Sequence, residues 1–541
     1  MNNTDLFQKL KFDRRLAAGV FLLIMAGSVL LPLGVLGLSW LEIDQEIWAH
    51  LLDIVLPSLL VNTLVLLVGV GVLVLLLGVS LAWLTAVCEF PGRKFFDWAL
   101  MLPLAMPTYV IAFVMVGLLD YSGSLQTFLR GLLGPTFSFP EIRSGGGVVL
   151  VLGLVLYPYV YMLARSAFQS QGRGLLDAAR VLGYGPWRGF YKVALPMARP
   201  AIAGGAALAL MEVLADFGAV SVFNYDTFTT AIYKTWYGFF NIHAAGQLAS
   251  LLLLFVVLAL SLERRSRGDA RYHQSGKGQR IALMKWKGWA AALFCLFVLS
   301  CAFIVPVVKL LMWVVQNQFS DLDERYLKLL AHSFGLAALA AIVTVGIAFV
   351  LALIKKTQSS TLVASMVQWA TLGYALPGSI LAVGIMLSFT FVDKGLGQFY
   401  LLLGYDSGPL LVGGVVALVL AYVVRFMAVA FGAIDSGFEQ LRPSIIEGAR
   451  TLGASWQRLL RRIYLPMLAP GLLTAMVLVF VDVMKEMPAT LLLRPFGWDT
   501  LAVRVYEMTS EGEWERAALP GITLVVAGLI PVLFLVQRSA R

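Results

Sequence analysis

Seven ionisable residues stand inside apolar stretches of this chain: Glu212, Asp216, Lys309, Arg425, Asp482, Lys485 and Glu486. A charge is costly in hydrocarbon, so one kept there faces water, relays a proton or meets an opposite charge. Glu212 and Asp216 are four apart, which on a helix puts them on one face. Asp482 and Glu486 repeat the arrangement 270 positions later. Two readings are open for the four acids. In one they line a translocation path towards its outer end; in the other they pair with Arg425 or Lys485 and fix the packing of a helix bundle.

The same offset relates two polar loops. The first reads Asp177-Ala178-Ala179, three residues, Gly183, nine residues, then Val193-Ala194-Leu195-Pro196; the second reads Glu447-Gly448-Ala449, three residues, Gly453, nine residues, then Ile463-Tyr464-Leu465-Pro466. Around the second copy Ser444 is expected as N-cap, with Glu447 at the third helical position reaching back to the cap amide. The short helix should stop at Gly183 or Gly453, where a left-handed cap is tolerated. A second short helix follows, and Leu195-Pro196 or Leu465-Pro466 opens the next apolar stretch. An isolated Asp177 or Glu447 reads as a capping acid, paired with Arg180 or Arg450 three residues on. Recurrence of two whole elements at one spacing asks for more than capping.

Other chemistries find no support. Cys88, Cys295 and Cys301 form no Cys-x-x-Cys pair, and the four histidines are dispersed, so neither a disulfide framework nor a metal centre is indicated. Gly276-Lys277 lacks the upstream glycine and the hydroxyl of a phosphate-binding loop. If ATP powers this protein, a partner hydrolyses it. No cofactor, nucleophile or acid–base constellation marks an enzyme.

The elements that must position these residues are membrane helices. The chain is 60% hydrophobic and 13% charged, with mean hydropathy +0.84, whereas charged residues approach a quarter of a soluble chain. Stretches of about 20 residues suffice to cross the hydrocarbon layer. They occur near 16–38, 55–86, 99–119, 147–164, 200–222 and 243–262, and again near 289–315, 329–354, 365–391, 410–433, 468–492 and 518–537. The expected fold is an all-α integral membrane protein of about twelve helices. Six per repeat is an even number, so the two halves share one orientation and the path is expected at their interface. Residues 1–262 form the first repeat, 263–288 a polar linker and 289–541 the second.

Lys and Arg collect on one side: 29 of the 41 fall in the segments that also hold both loops and both termini, which makes that side cytoplasmic. The formal charge of +10 follows from topology, and no basic, aromatic-interleaved patch suggests nucleic acid. Arg14-Arg15 precedes an apolar run too long for a cleaved signal, so an uncleaved first helix is expected. A bacterial inner membrane is the simplest location.

The paired loops resemble the cytoplasmic loop of permease subunits of binding-protein-dependent ABC importers, which reads Glu-Ala-Ala, three residues, Gly, nine residues, Ile-x-Leu-Pro. Asp177, Gly448 and Val193 depart mildly from that pattern. The resemblance implies that both loops, Asp177 to Gly183 and Glu447 to Gly453, dock as coupling helices on two copies of an ATP-hydrolysing subunit, and that a periplasmic binding protein delivers the solute. Pro103 to Val110, Tyr157 to Arg165 and Lys485 to Phe496 look like the fused, double-length permeases of ferric-iron systems, so ferric ion is the cargo implied. Related fused permeases serve sulfate, phosphonate or thiamine. The rival from another class is a secondary transporter, in which Glu212, Asp216, Asp482 and Glu486 would relay protons.

Overall fold

The computed structural model describes the chain outside residues 1–2, 136, 138–139, 171–183, 268–279, 284–285, 318–320, 359, 403–410 and 540–541. The first half contains α1 (Asn3–Leu38), α2 (Leu56–Val87), α3 (Thr108–Leu119), α4 (Gly145–Ser170), α5 (Leu195–Ala215), α6 (Gly218–Val222), α7 (Phe228–Phe239) and α8 (Ile242–Arg267). The second contains α9 (Trp286–Leu299), α10 (Val305–Gln316), α11 (Glu324–Thr357), α12 (Gly378–Leu402), α13 (Val415–Gln440), α14 (Pro443–Thr451), α15 (Leu465–Lys485), α16 (Pro488–Leu493), α17 (Leu501–Ser510) and α18 (Ala518–Ser539). Among the described residues eleven helical stretches are long and apolar enough to cross a membrane, and Ala518–Leu533 adds a shorter apolar one. The only described strands are two-residue pieces, Cys88–Glu89 beside Ile281–Ala282. The protein is an all-α integral membrane protein.

The duplication extends to element ends. Gly145 and Ser170 bound α4 as Val415 and Gln440 bound α13, while Leu195 and Ala215 bound α5 as Leu465 and Lys485 bound α15.

Four expected spans are interrupted. The stretch 99–119 is cut by a 3-10 turn, Leu102–Ala105, and by Met106, which is extended (ψ 123°) before Pro107; 365–391 repeats this with Leu372–Ala375 and Leu376 (ψ 128°) before Pro377. A proline ring clashes with helical backbone at the residue before it, which explains both breaks. The stretches 200–222 and 468–492 break at Asp216 (ψ 126°) and Glu486 (ψ 111°). Asp216 and Glu486 therefore sit just beyond the helices that carry Glu212 and Asp482, rather than one turn along them.

Contacts divide the chain into two compact units. One gathers Met1–Ile43, Phe240–Ser250 and Arg325–Thr500; the other gathers Asp44–Phe239, Leu251–Glu324 and Leu501–Arg541. In the first, α1 packs along α12. Gly384 permits the approach: a Cβ there would lie 2.8 Å from the Pro32 carbonyl oxygen. Small residues at such crossings let helix backbones close up where lipid supplies no hydrophobic drive. Gln247 adds a donor to the carbonyls of Ser39 (2.8 Å) and Glu42 (3.1 Å).

In the other unit, α2, α4 and α5 pack together, and α18 lies against α10 and the Leu102–Ala105 turn. Trp313 of α10 stacks on Phe113 of α3, ring centroids 6.2 Å apart. At the loop end of α4, Arg165 donates two bonds to Asp97 (2.7 and 2.5 Å), a bidentate geometry that fixes orientation as well as charge.

Candidate functional site: a projecting loop, two capped breaks and a chamber

In the second loop, α14 begins two residues earlier than the sequence suggests. Arg442 is the N-cap residue, with extended backbone and no side-chain cap bond, and Pro443 takes the first helical position. Proline has no N–H to satisfy and a fixed φ suited to that place, so it displaces Ser444 into the first turn. The capping box is absent, and Glu447 lies mid-helix with an exposed side chain. Ile446 is the buried side chain of this helix, while Ile445, Gly448 and Arg450 are exposed.

The helix ends as a Schellman motif. Gly453 has φ +76°, its N–H donates to the Arg450 carbonyl (3.0 Å), and the Ala454 N–H donates to the Ala449 carbonyl (3.0 Å). Leu452, just before the glycine, is 88% exposed. A short helix, Trp456–Leu459, and a π turn, Leu460–Tyr464, then run into α15 with no interruption, so Leu465-Pro466 lies inside one helical stretch from Trp456 to Lys485. A π turn widens the helix by one residue, which relieves the ring clash of a proline one turn on. In the first loop Asp177, Ala178, Ala179 and Gly183 lie outside the described residues. Its described part matches: Pro186–Gly189, a π turn Phe190–Ala194, then α5 from Leu195-Pro196.

At the far end of α5, Asp216 is 8% exposed. Its carboxylate accepts the Val220 N–H of α6 (3.1 Å) and the Thr108 hydroxyl (2.6 Å), and its carbonyl accepts the Thr229 hydroxyl (2.6 Å). At the far end of α15, Glu486 is 6% exposed. It accepts the Ala489 N–H of α16 (3.2 Å) and pairs with Arg425 Nε of α13 (3.0 Å), while its carbonyl takes the Thr490 hydroxyl (2.5 Å). Each acid thus caps the short helix after its break. Glu212 and Asp482 are partly exposed on α5 and α15.

The repeats reach this result with different partners. Thr108 corresponds to Gly378, Val155 to Arg425 and Asp216 to Glu486. A Cβ on Gly378 would lie 2.4 Å from the Glu486 carboxylate and 2.5 Å from Arg425 Nη1. The longer acid and the guanidinium occupy space that the Thr108 side chain fills in the other copy. Thr108, Thr229 and Gly378 escaped the sequence reading; Thr108 and Gly378 directly follow Pro107 and Pro377, the one local signal that could have found them. Lys309 stands over the Trp313 ring at 4.6 Å.

A chamber of about 550 Å³ opens against α6. It is walled by α6, α7 and α17 with the turns around them. Phe217, next to Asp216, contacts Tyr233 and Tyr506 at ring distances of 5.3 and 5.5 Å, and those two rings lie 6.1 Å apart. Tyr225 and Trp514 complete the aromatic lining. Burial raises the Tyr225 and Tyr506 phenols above their ordinary range, and a hydrogen bond with the Tyr233 side chain draws Tyr506 back. Lys234 pairs with Asp226 (2.5 Å) and Arg143 with Asp120 (3.1 Å). Asn224 in the wall holds φ +52°, a left-handed backbone that asparagine tolerates better than most residues. The 21 residues of α5 span roughly 30 Å at 1.5 Å each, so the chamber lies at the opposite end of α5 from the described loop segment Pro186–Ala194. Among the described residues no three His, Cys, Asp or Glu side chains are gathered as metal ligands.

Comparison with known proteins is consistent along the chain. The family described as Binding-protein-dependent transport system inner membrane component matches residues 74–264 and again 363–541. The Fe(3+)-transport system permease protein FbpB 2 of Haemophilus influenzae is 28% identical over 494 residues, covering 90% of each chain. The molybdenum transport system permease protein ModB of Escherichia coli is 34% identical over 146 residues, 27% of this chain and 62% of that one. The sulfate transport system permease protein CysT of Escherichia coli is 28% identical over 209 residues, 38% of this chain and 73% of that one.

Proposed function

We infer from one premise, that the chain belongs to the family of inner membrane components of binding-protein-dependent transport systems, that this multi-pass transport subunit forms the translocation pathway for ferric iron. A soluble periplasmic binding protein delivers the ion, and two copies of a separate ATPase supply the work from the cytoplasmic side, where both termini lie. The two repeats, 1–262 and 289–541, act as fused permease subunits joined by the linker 263–288. The observation that carries the ferric assignment is similarity to a ferric permease over nine-tenths of both chains, where the molybdenum and sulfate permeases match shorter stretches.

The coupling role rests on α14. Its outward face is exposed, Leu452 offers an apolar contact, and the helical stretch after it runs from Trp456 to the break at Glu486. When paired ATPases close, displacement of α14 passes as a rigid push along α15 to that break. By the repeat, Asp177 to Gly183 would work on α5 and the break at Asp216. The acids Glu212, Asp216, Asp482 and Glu486 mark the ends of these levers beside the path. A proton relay is less well supported, since Asp216 and Glu486 already serve as acceptors for helix amides.

The test is reconstitution. In proteoliposomes the chain, co-purified with its ATPase in two copies, should take up radiolabelled ferric ion only with ATP and the loaded binding protein. Uptake by the chain alone, driven by an ion gradient, would refute the reading.

A further inference from the structure

The chamber beside α6 distinguishes one class of cargo from another. Its volume, about 550 Å³, is enough for an ion with its first hydration shell or a small chelate. Beside the cations Lys234 and Arg143, the atoms on its wall able to ligate a metal are oxygens: phenols of Tyr225, Tyr233 and Tyr506, and carboxylates of Asp226 and Glu511. No Cys, His or Met lines it. Oxygen donors of this kind favour hard cations over soft ones.

Charge points the same way. Lys234 is answered by Asp226 and Arg143 by Asp120, which leaves the Glu511 carboxylate as the surplus. The aromatic rings present negative faces. An oxyanion entering here would find both cations already committed.

The donors are drawn from both copies of the repeat, Tyr225, Asp226 and Tyr233 from the first and Tyr506 and Glu511 from the second, and none is duplicated. At the mirrored positions Tyr233 becomes Val503, Tyr506 becomes Trp236, Tyr225 becomes Pro495 and Asp226 becomes Phe496. No chamber with this set of donors is therefore encoded at the mirrored positions.

We propose that the chamber is a transient acceptor for a hard trivalent cation, with the phenol oxygens of Tyr233 and Tyr506, whose rings lie 6.1 Å apart in its wall, as paired donors and Glu511 supplying the carboxylate charge. Each phenol loses its proton to water as its oxygen bonds the metal, and the metal's oxidation state does not change. The proposal deepens the ferric-importer reading and rests on it.

The experiment titrates the detergent-purified full chain with ferric nitrilotriacetate and follows the visible phenolate-to-iron charge-transfer band. The wild type should develop the band. Tyr233→Phe and Tyr506→Phe should each weaken it, the double variant should reduce it at least tenfold, and excess molybdate should leave it unchanged. Phenylalanine keeps the ring packing, and an unchanged gel-filtration profile checks that the variants fold. A band that survives in the folded double variant overturns the proposal. Ferric uptake by wild-type proteoliposomes with no band overturns the chamber role while the importer reading stands, whereas uptake of molybdate but not ferric ion overturns both.

Discussion

Replacing Arg425 by Val should be among the most damaging single substitutions in the membrane region, and two further changes should undo most of the damage. Arg425 and Glu486 are 13% and 5% exposed and meet at 3.0 Å. Removing one member of a buried pair leaves the other charge uncompensated and costs about 3–5 kcal/mol. Glu486 would keep the Ala489 amide as donor, which does not replace a cation. At about 2–4 °C per kcal/mol for a unit of a few hundred residues, Arg425→Val should lower the midpoint of thermal unfolding by roughly 6–20 °C. The other repeat shows the remedy. Gly378→Thr with Arg425→Val and Glu486→Asp rebuilds the arrangement of Thr108, Val155 and Asp216, in which a hydroxyl donates to the acid at 2.6 Å. Gly378→Thr alone should fail, because its Cβ would meet the ion pair at 2.4–2.5 Å. The triple variant should therefore recover to within about 1–2 kcal/mol of wild type, a strong departure from the additivity of independent sites. Unfolding of the purified chain, followed by intrinsic tryptophan fluorescence, measures the wild type, the three single variants and the triple variant. If the triple variant is as unstable as the sum of its parts, the correspondence between the two capped breaks is wrong.

Other outcomes follow from the same geometry. Gly453→Ala forces a Cβ into a left-handed backbone at a cost of about 1–2 kcal/mol; with the end of α14 disturbed, stimulation of the partner ATPase by loaded binding protein should fall more than unfolding temperature does. Leu452→Asp, at an exposed position, should leave thermal stability within about 0.5 kcal/mol and weaken ATPase association about tenfold in a pull-down titration. Thr108→Val removes the hydroxyl donor to buried Asp216 and should cost about 1–3 kcal/mol, read from urea or thermal unfolding, while Thr108→Ser should cost less than half as much.

The 270-residue offset in the sequence revealed the duplication and the Leu-Pro pairs near the starts of α5 and α15, while the matching ends of these helices at Ala215 and Lys485 emerged only in the structure. Hydropathy found every membrane stretch but ran through the breaks: Asp216 and Glu486 are two charges among many apolar neighbours, and an average cannot register a single extended residue. The role of Ser444 was misjudged since capping propensity competes with Pro443, whose ring constraint is the stronger local rule. Nothing local told that α1 packs on α12, for an apolar face carries no mark of which partner it prefers. The chamber was equally hidden. Tyr225 and Tyr233 are far in sequence from Tyr506 and Trp514, and only tertiary structure brings a turn after α17 beside α6.

The exchange of segments between the compact units has a consequence for biogenesis. The amino-terminal helix leaves the ribosome long before Arg325–Thr500, the stretch it packs with, has been made, and the unit begun at Asp44 is not closed until Leu501–Arg541 arrives. Neither half of the gene product can mature on its own schedule. A nascent chain must hold its first helix in lipid until α12 is made, and a premature stop near the carboxyl end would leave the unit begun at Asp44 without its closing segment.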